Sequence, residues 1–394
     1  MSGSGPPAFI LGLDENGYGI LRSLARMGVP SFGFYNTPKS FGRFSRLCKA
    51  FQLGYPAAAV EEICRALVEK RKGFAERPVI FPTSDAFVNL IQSHRALFGE
   101  HFRYHWVSSE QHRRILDKGL MGEACEAAGV RVPQTYVTRP GEEINEAGEG
   151  FPFPCLIKPC RSFDTYFPQD VKNVIARGPA ELRDFYVRHP DTLGETLWQE
   201  IIEGADDDIY QCTVLIRLNG EPGAVFCTRK LRQYLPGFGI MCFGRSEENP
   251  VVVSHALKLL RALEWQGIAS LEFKRRRRDN EYYFIEMYPR LPWYNSLFID
   301  AGVNLAYLAY QDLTGGGLFD GSEVRQRDGV HWLALREDLG WFVRIRGVRP
   351  FSTVRWFASL TEAQSYAWWN LRDPNPWIHA LWHLLRLSLR RDIP

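Results

Sequence analysis

The spacing most suggestive of chemistry lies between Glu272 and Glu286. Two strand-like runs, 267–273 and 282–286, flank Arg275-Arg276-Arg277-Arg278-Asp279-Asn280, whose Asp-Asn end is turn chemistry. A hairpin turning about Asp279 sets Glu272 opposite Glu286. Period-two alternation then puts Glu272, Phe284, Glu286 and Tyr288 on one face. Like charges directly opposite each other destabilise a sheet, so the pair calls for a cation. A divalent metal shared with phosphate is one answer. One Glu turned to solvent, or neutralisation by Lys230 or Arg290, is the other.

Further residues fit phosphate and nucleotide chemistry. Lys158 ends the apolar run 154–157 and precedes Pro159, where it can reach a phosphate as a point charge or snorkel at the surface. The strand-like run 196–200 is followed by a short connector and then Asp206-Asp207-Asp208. Free backbone groups of such a connector, held between apolar walls, can read adenine edges, and a carboxylate can hold ribose hydroxyls. An acidic surface loop is the plain alternative. The four arginines at 275–278 read as a solvated hairpin tip, because no aromatic platform interleaves them as nucleic-acid binding would want. The glycine-rich segment 12–19 lacks both the G-x-G-x-x-G spacing and a Gly-Lys-Ser/Thr, and Asp14 and Glu15 would repel a pyrophosphate. A dinucleotide-dependent oxidoreductase would rest on that loop alone.

The elements that must position these residues fall into two textures. Residues 8–13 form a buried-strand run, Ile20, Leu21, Leu24 and Met27 follow at helical spacing, and 31–35 form a second strand. Runs at 78–82 and 103–107 add two more, so residues 1–110 read as an α/β domain with a parallel sheet. A helix carrying Ile115, Leu116, Leu120 and Cys125 runs to Gly129. Strand-like runs then follow at 154–159, 196–200, 209–216, 223–228, 267–273 and 282–286, an α+β signature. Residues 316–394 stand apart as an extension: of 11 Trp in the chain, eight follow residue 290.

Composition excludes several classes. In 394 residues, 45% hydrophobic and 24% charged usage fits globular domains rather than disorder. The 48 Lys and Arg against 45 Asp and Glu leave a net +3, too balanced for a nucleic-acid coat. No run of about 18 apolar residues is present, the first residues lack a signal-peptide pattern, and the eight Cys are scattered without Cys-x-x-Cys spacing. A reduced, cytoplasmic setting is the expectation.

Taken in order, these motifs resemble the ATP-grasp superfamily, in its carboxylate–amine ligase branch of predicted carboligases. The resemblance covers residues 8–315. It rests on Phe81-Pro82-Thr83-Ser84-Asp85, Asp117-Lys118-Gly119, Val132-Pro133-Gln134-Thr135, Ile157-Lys158-Pro159, Gln199-Glu200-Ile201-Ile202-Glu203-Gly204 and Glu286-Met287-Tyr288-Pro289-Arg290. It implies an α/β N-terminal domain followed by α+β ATP-grasp domains over 111–315. It also implies an ATP- and Mg²⁺-dependent ligase that activates a carboxylate as an acyl phosphate for attack by an amine. Lys118 and Lys158 would hold phosphates from either side of a cleft. Glu200 and the backbone of Ile201 and Ile202 would border adenine, with Glu203 nearby, and Asp208 or Asp207 would take the ribose. Glu272 and Glu286 would carry Mg²⁺, and Arg290 would steady the substrate carboxylate or acyl phosphate. In the strand 228–232, Lys230 and Arg232 on one face would suit an anionic acyl phosphate, with 236–239 as a substrate loop; a cationic sheet edge is the alternative. Two departures stand out. Members usually have Asn where this chain has Tyr288, a poor Mg²⁺ ligand at an ordinary pKa of about 10. The loop after Lys158 offers Arg161 and Ser162 in place of a glycine-rich lid. An ATP-binding regulatory or scaffold protein with impaired catalysis is therefore the second reading.

At the C-terminus, Asn375 and Pro376 supply an N-cap and first-turn proline for a helix. His379, His383, Arg386 and Arg390 form one face, and Trp and Leu cover the rest. Docking of the broad apolar face on the protein body or on a second subunit, with the basic face in water, is preferred over an anionic membrane surface.

Overall fold

A computed structural model describes residues 5–54, 60–144, 150–160, 174–235, 237–316, 324–345 and 352–389; Arg161, Ser162, Pro236 and Arg390 lie outside the described residues. The N-terminal domain is built on four parallel strands, β1 (Ala8–Leu11), β2 (Ser31–Tyr35), β3 (Lys49–Gln52) and β4 (Val79–Pro82), in the order β3-β2-β1-β4. Strands β1 and β4 are apolar and buried throughout because both faces of the sheet are covered. The run at 103–107 does not join it as a strand and pairs with the sheet through a bridge between Val79 and Arg103. β3 takes the opposite edge, hidden in the sequence by its polar ends, Lys49 and Gln52. The glycine-rich turn is structural. Asp14 caps the helix Glu15–Ala25 by accepting from the Gly17 amide, and Glu15 accepts from the Trp368 indole at 2.9 Å.

A small antiparallel sheet follows, β5 (Thr135–Val137), β6 (Cys155–Pro159), β7 (Val174–Ala176) and β8 (Thr196–Glu200), in the order β5-β8-β6-β7. The expected helix through Leu116 and Leu120 is two helices, Ser109–Leu116 and Lys118–Ala127. Asp117 breaks it: extended itself, it caps the second helix by accepting from the Gly119 and Leu120 amides, which places Lys118 at a helix start.

The third layer is a seven-stranded sheet of β9 (Ile209–Ile216), β10 (Pro222–Tyr234), β11 (Ile240–Ser246), β12 (Gly267–Arg276), β13 (Glu281–Tyr288), β14 (His331–Leu333) and β15 (Ala363–Tyr366), ordered β13-β12-β9-β10-β11-β14-β15. Residues beyond 315 thus complete this sheet rather than hang from it. One face, with Cys212, Val214, Leu271 and Phe273, packs on the helix Pro250–Ala262. The other face divides in two: Leu215, Phe226 and Met241 join a core with the N-terminal domain, while polar residues of the same strands line the candidate site.

The C-terminal helix Asn375–Leu389 docks, but not by its apolar face. His379 stacks on Phe44 at 3.6 Å between ring centroids, and His383 lies 5.5 Å from Phe41. Ile378, Leu381 and Trp382 face outward, so this part of the apolar face does not dock on the protein body, while Arg386 is exposed as expected. Imidazole rings match an aromatic turn, Phe41–Phe44, that sequence periodicity does not reveal.

Candidate active site

Glu272 and Glu286 are paired across β12 and β13, as the hairpin geometry predicts, but by a different route. The register shifts by one between Glu272 and Phe273, so that Phe273 faces Phe284 and Ile285 is the extra residue. Phe284 is thereby turned to the opposite face from Glu286, into the core with Phe273, whose ring lies 5.8 Å away. The carboxylates and Tyr288 remain together on the polar face. Along β12 the pattern is regular, so Lys274 shares the face of Glu272.

Cations and amides collect around the acid pair. Glu272 is 7% exposed, forms an ion pair with Lys230 at 3.1 Å, and accepts from the Gln211 amide at 2.9 Å. Lys230 also donates to Gln233 at 3.1 Å and to the Gly239 carbonyl at 3.4 Å, tying down the loop expected to meet substrate. Burial, and then Glu272, push the Glu286 carboxyl up, while the Tyr288 hydrogen bond, Lys158 and Lys230 pull it back only in part. Tyr288 donates its hydroxyl to Glu286, and burial keeps that phenol protonated. So Tyr288 holds a carboxylate rather than offering a ligand atom.

Lys118 and Lys158 meet beside Glu286. Lys118 donates to the Pro159 carbonyl at 2.7 Å and Lys158 to Gln199 at 3.0 Å. Burial, and then the neighbouring Lys158, push the Lys118 ammonium down to about 8. Burial also lowers Lys158, against the pull of Glu286 and Glu272. Two crowded, desolvated ammonium groups favour an anionic ligand.

Two cavities meet at Lys158, Gln199, Ile285 and Glu286. The smaller, about 160 Å³, is bordered by Glu200, Ile201, Ile202, Gln233, Glu272 and Lys274. The larger, about 460 Å³, extends past Lys118 and Gln134 to Tyr288 and to Asp85 of the N-terminal domain. Arg290 stands at that junction, bonded to Asp85 at 2.7 Å and 5.0 Å from the Tyr288 ring centre.

Several expected site residues are elsewhere. Asp208 is fully buried and bonded to Arg275 at 2.7 Å, to Arg277 and to the Ala205 amide. Burial pushes its carboxyl up, and these bonds override burial and hold it low. Asp207 pairs with Arg277 at 2.9 Å. The acidic cluster and the arginine run, expected as ribose ligand and solvated tip, thus neutralise each other, because β12 lies beside β9 in the sheet. Glu203 is exposed and outside both cavity linings. Arg232 is turned away from Lys230 by register shifts on either side of it. It pairs with buried Asp338 at 2.6 Å and stacks on Phe243 at 4.0 Å, so it belongs to the support behind the sheet. Arg232→Leu is expected to cost roughly 3–5 kcal/mol by leaving Asp338 buried without its cation. Turnover per folded molecule should stay within about twofold of wild type; denaturant titration beside active-site titration checks this.

Sequence reasoning misses Gln211, Gln233 and Lys274 altogether, and it places Gln199 in a motif without giving it a role. Alternation from Glu272 points to Lys274, whereas the register shifts after Lys230 hide Gln233. Lys274 lines the smaller cavity, is lowered mainly by burial, and has no hydrogen-bond partner among the described residues.

The acid pair suits a divalent cation. Among the described residues no cluster of three or more His, Cys, Asp or Glu could hold a metal by itself. Mg²⁺ in nucleotide sites takes one or two carboxylates, with phosphate and water completing its shell, which is what Glu272 and Glu286 beside two lysines provide.

No family model matches the chain. It is 22% identical over 318 residues to the D-aspartate ligase of Enterococcus faecium, covering 77% of this chain and 75% of that protein. Among solved structures, the biotin carboxylase domain of the Hydrogenobacter thermophilus 2-oxoglutarate carboxylase, bound to MgADP, ADP and bicarbonate, matches with TM-score 0.63 and 14% identity, over 84% of this chain and 74% of that one. The L-amino acid ligase of Bacillus licheniformis matches with TM-score 0.60 and 14% identity, over 82% and 78%. The N5-carboxyaminoimidazole synthetase of Staphylococcus aureus, complexed with ADP, matches with TM-score 0.59 and 16% identity, over 80% and 78%. The chain has the ATP-grasp fold that these proteins share, as the ordered motifs implied.

Proposed function

We propose that the chain is an ATP- and Mg²⁺-dependent carboxylate–amine ligase. The observation that carries this reading is the meeting of Lys118, Lys158 and the Glu272–Glu286 pair where the two cavities join, with buried Lys230 paired to Glu272. The smaller cavity takes adenosine, its adenine against the backbone of Ile201 and Ile202 with Glu200 at its edge. Lys118 and Lys158 hold the phosphate chain. Glu272 and Glu286 would hold Mg²⁺, which neutralises charge on the transferring phosphoryl group. A carboxylate oxygen attacks the γ-phosphorus and ADP departs. The amine nitrogen then attacks the acyl carbon, inorganic phosphate leaves with the carboxylate oxygen, and the nitrogen gives up a proton. Lys230 sits where charge on the acyl phosphate develops, and Arg290, anchored by Asp85, steadies the substrate carboxylate at the mouth of the larger cavity. The test is ADP formation by the purified chain with pooled carboxylic acids and amines. Release that requires both an acid and an amine supports ligation; tight nucleotide binding without release under any pair favours the regulatory reading.

That second reading rests on one contact, the hydroxyl of Tyr288 on Glu286. Tyr288→Asn frees that carboxylate oxygen and is expected to lower the Mg²⁺ concentration needed for half-maximal ADP release severalfold. An unchanged or raised requirement means that Tyr288 serves substrate rather than hindering metal.

The lowered Lys118 also makes nucleotide binding depend on pH. Its ammonium loses the proton as pH rises through about 8, whereas bound phosphate restores it. Nucleotide affinity should therefore fall by about tenfold from pH 7 to pH 9, with proton uptake on binding. Calorimetry in buffers of different ionisation enthalpy reads both, and a flat profile would remove Lys118 from the phosphate site.

A further inference from the structure

Where the helix Asn375–Leu389 lies on the turn Phe41–Phe44, its outer side is apolar: Trp382 is 55% exposed, Ile378 49% and Leu381 41%. Trp369 and Leu371, just before the helix, are exposed as well. In the two segments that form this face cations far outnumber acids. Residues 36–54 contain no acid, and 369–386 contain only Asp373, which is fully buried and accepts from Ser45 at 2.6 Å and from the Arg46 amide at 3.1 Å. Lys39, Arg46, Lys49, Arg372 and Arg386 are exposed and Arg43 is half-buried. None of these six cations forms an ion pair with a described residue. A protein of net charge +3 thus carries six cations without ion-pair partners in the segments around its exposed Trp and Ile.

We propose that this corner docks on an anionic lipid surface, with the helix lying in the interface plane. Trp382, Ile378 and Leu381 enter the boundary between headgroups and acyl chains, and the surrounding Lys and Arg meet the headgroups. A lipid surface supplies both an apolar layer and negative charge. A second copy of the chain does not. Twofold packing of the same face would bring the six cations against their own counterparts, at a cost in like-charge repulsion. Among the described residues no helix is long and apolar enough to cross a membrane, so the contact is peripheral.

Co-sedimentation of the full chain with vesicles tests this, comparing phosphatidylcholine alone with phosphatidylcholine containing phosphatidylglycerol. Binding is expected only to the anionic vesicles at low salt, with release at high salt. Arg386→Glu and Trp382→Ser are each expected to weaken it about tenfold, since the surface field acts on each charge and the interface on each buried apolar group. Both side chains are exposed, and unchanged thermal unfolding verifies that the fold is kept. Absence of binding at low salt overturns the proposal, as does equal binding to neutral vesicles or wild-type binding by both variants. A dimer split by Trp382→Ser, without vesicle binding, would assign the face to a second copy and also overturn it.

Discussion

Glu286→Gln is expected to abolish Mg²⁺-dependent ADP formation, by a factor on the order of a thousand or more, without lowering thermal stability. The sign follows from linkage. Burial and Glu272 raise the folded pKa of Glu286 above its ordinary value, so the contribution to stability is present when the group is protonated and is lost as pH rises through the folded pKa. At neutral pH the ionised carboxylate therefore weakens the fold, and a neutral isostere of the same shape removes that cost. Tyr288 can still donate to the oxygen of the amide that replaces the carboxylate. An inactive protein melting at or above the wild-type temperature is the signature of a residue kept for function. Near-normal Mg²⁺-dependent turnover would show that the metal assignment is wrong, and inactivity with a much lower melting temperature would make Glu286 structural.

Removing the cation opposite should act differently. Lys230 is 5% exposed, and Lys230→Met leaves Glu272 facing Glu286 with only the Gln211 amide as a direct neutral partner. Breaking such a pair from one side costs roughly 3–5 kcal/mol. The loop at Gly239 also loses its tie, and on the proposed reading, in which Lys230 meets charge developing on the acyl phosphate, turnover should fall by a factor on the order of a thousand. The double substitution Lys230→Met with Glu286→Gln separates the two effects. Having one carboxylate instead of two, it should recover part of the lost stability and none of the activity. If activity returned with stability, Lys230 would be a positioning residue only.

The contrast between Lys230 and Arg232 marks a limit of reading strands from sequence. Strict alternation places both on one face, but register shifts within β10 send one to the acid pair and the other to Asp338. The same limit applies to Phe284, which the extra residue Ile285 moves into the core. A bulge depends on how two strands fit each other and on the twist they share, not on either strand's own pattern.

Local chemistry alone determined much of this protein: the βαβ start, Lys158 at the end of an apolar strand, and the connector that follows β8. It also determined the opposition of Glu272 and Glu286, because short-range alternation and turn residues act over a few neighbours. Tertiary structure alone decided which charges meet across long separations. Asp207 and Asp208 and the arginines Arg275 and Arg277 look like separate features until β12 lies beside β9, after which they neutralise one another and neither aspartate lines the smaller cavity. Likewise, helical periodicity established that the C-terminal helix has an apolar side, but the aromatic turn Phe41–Phe44, more than three hundred residues earlier, decided that this side would face outward. Ion pairing and stacking are bonds between partners, and a sequence shows each partner without showing which others the fold will bring to it.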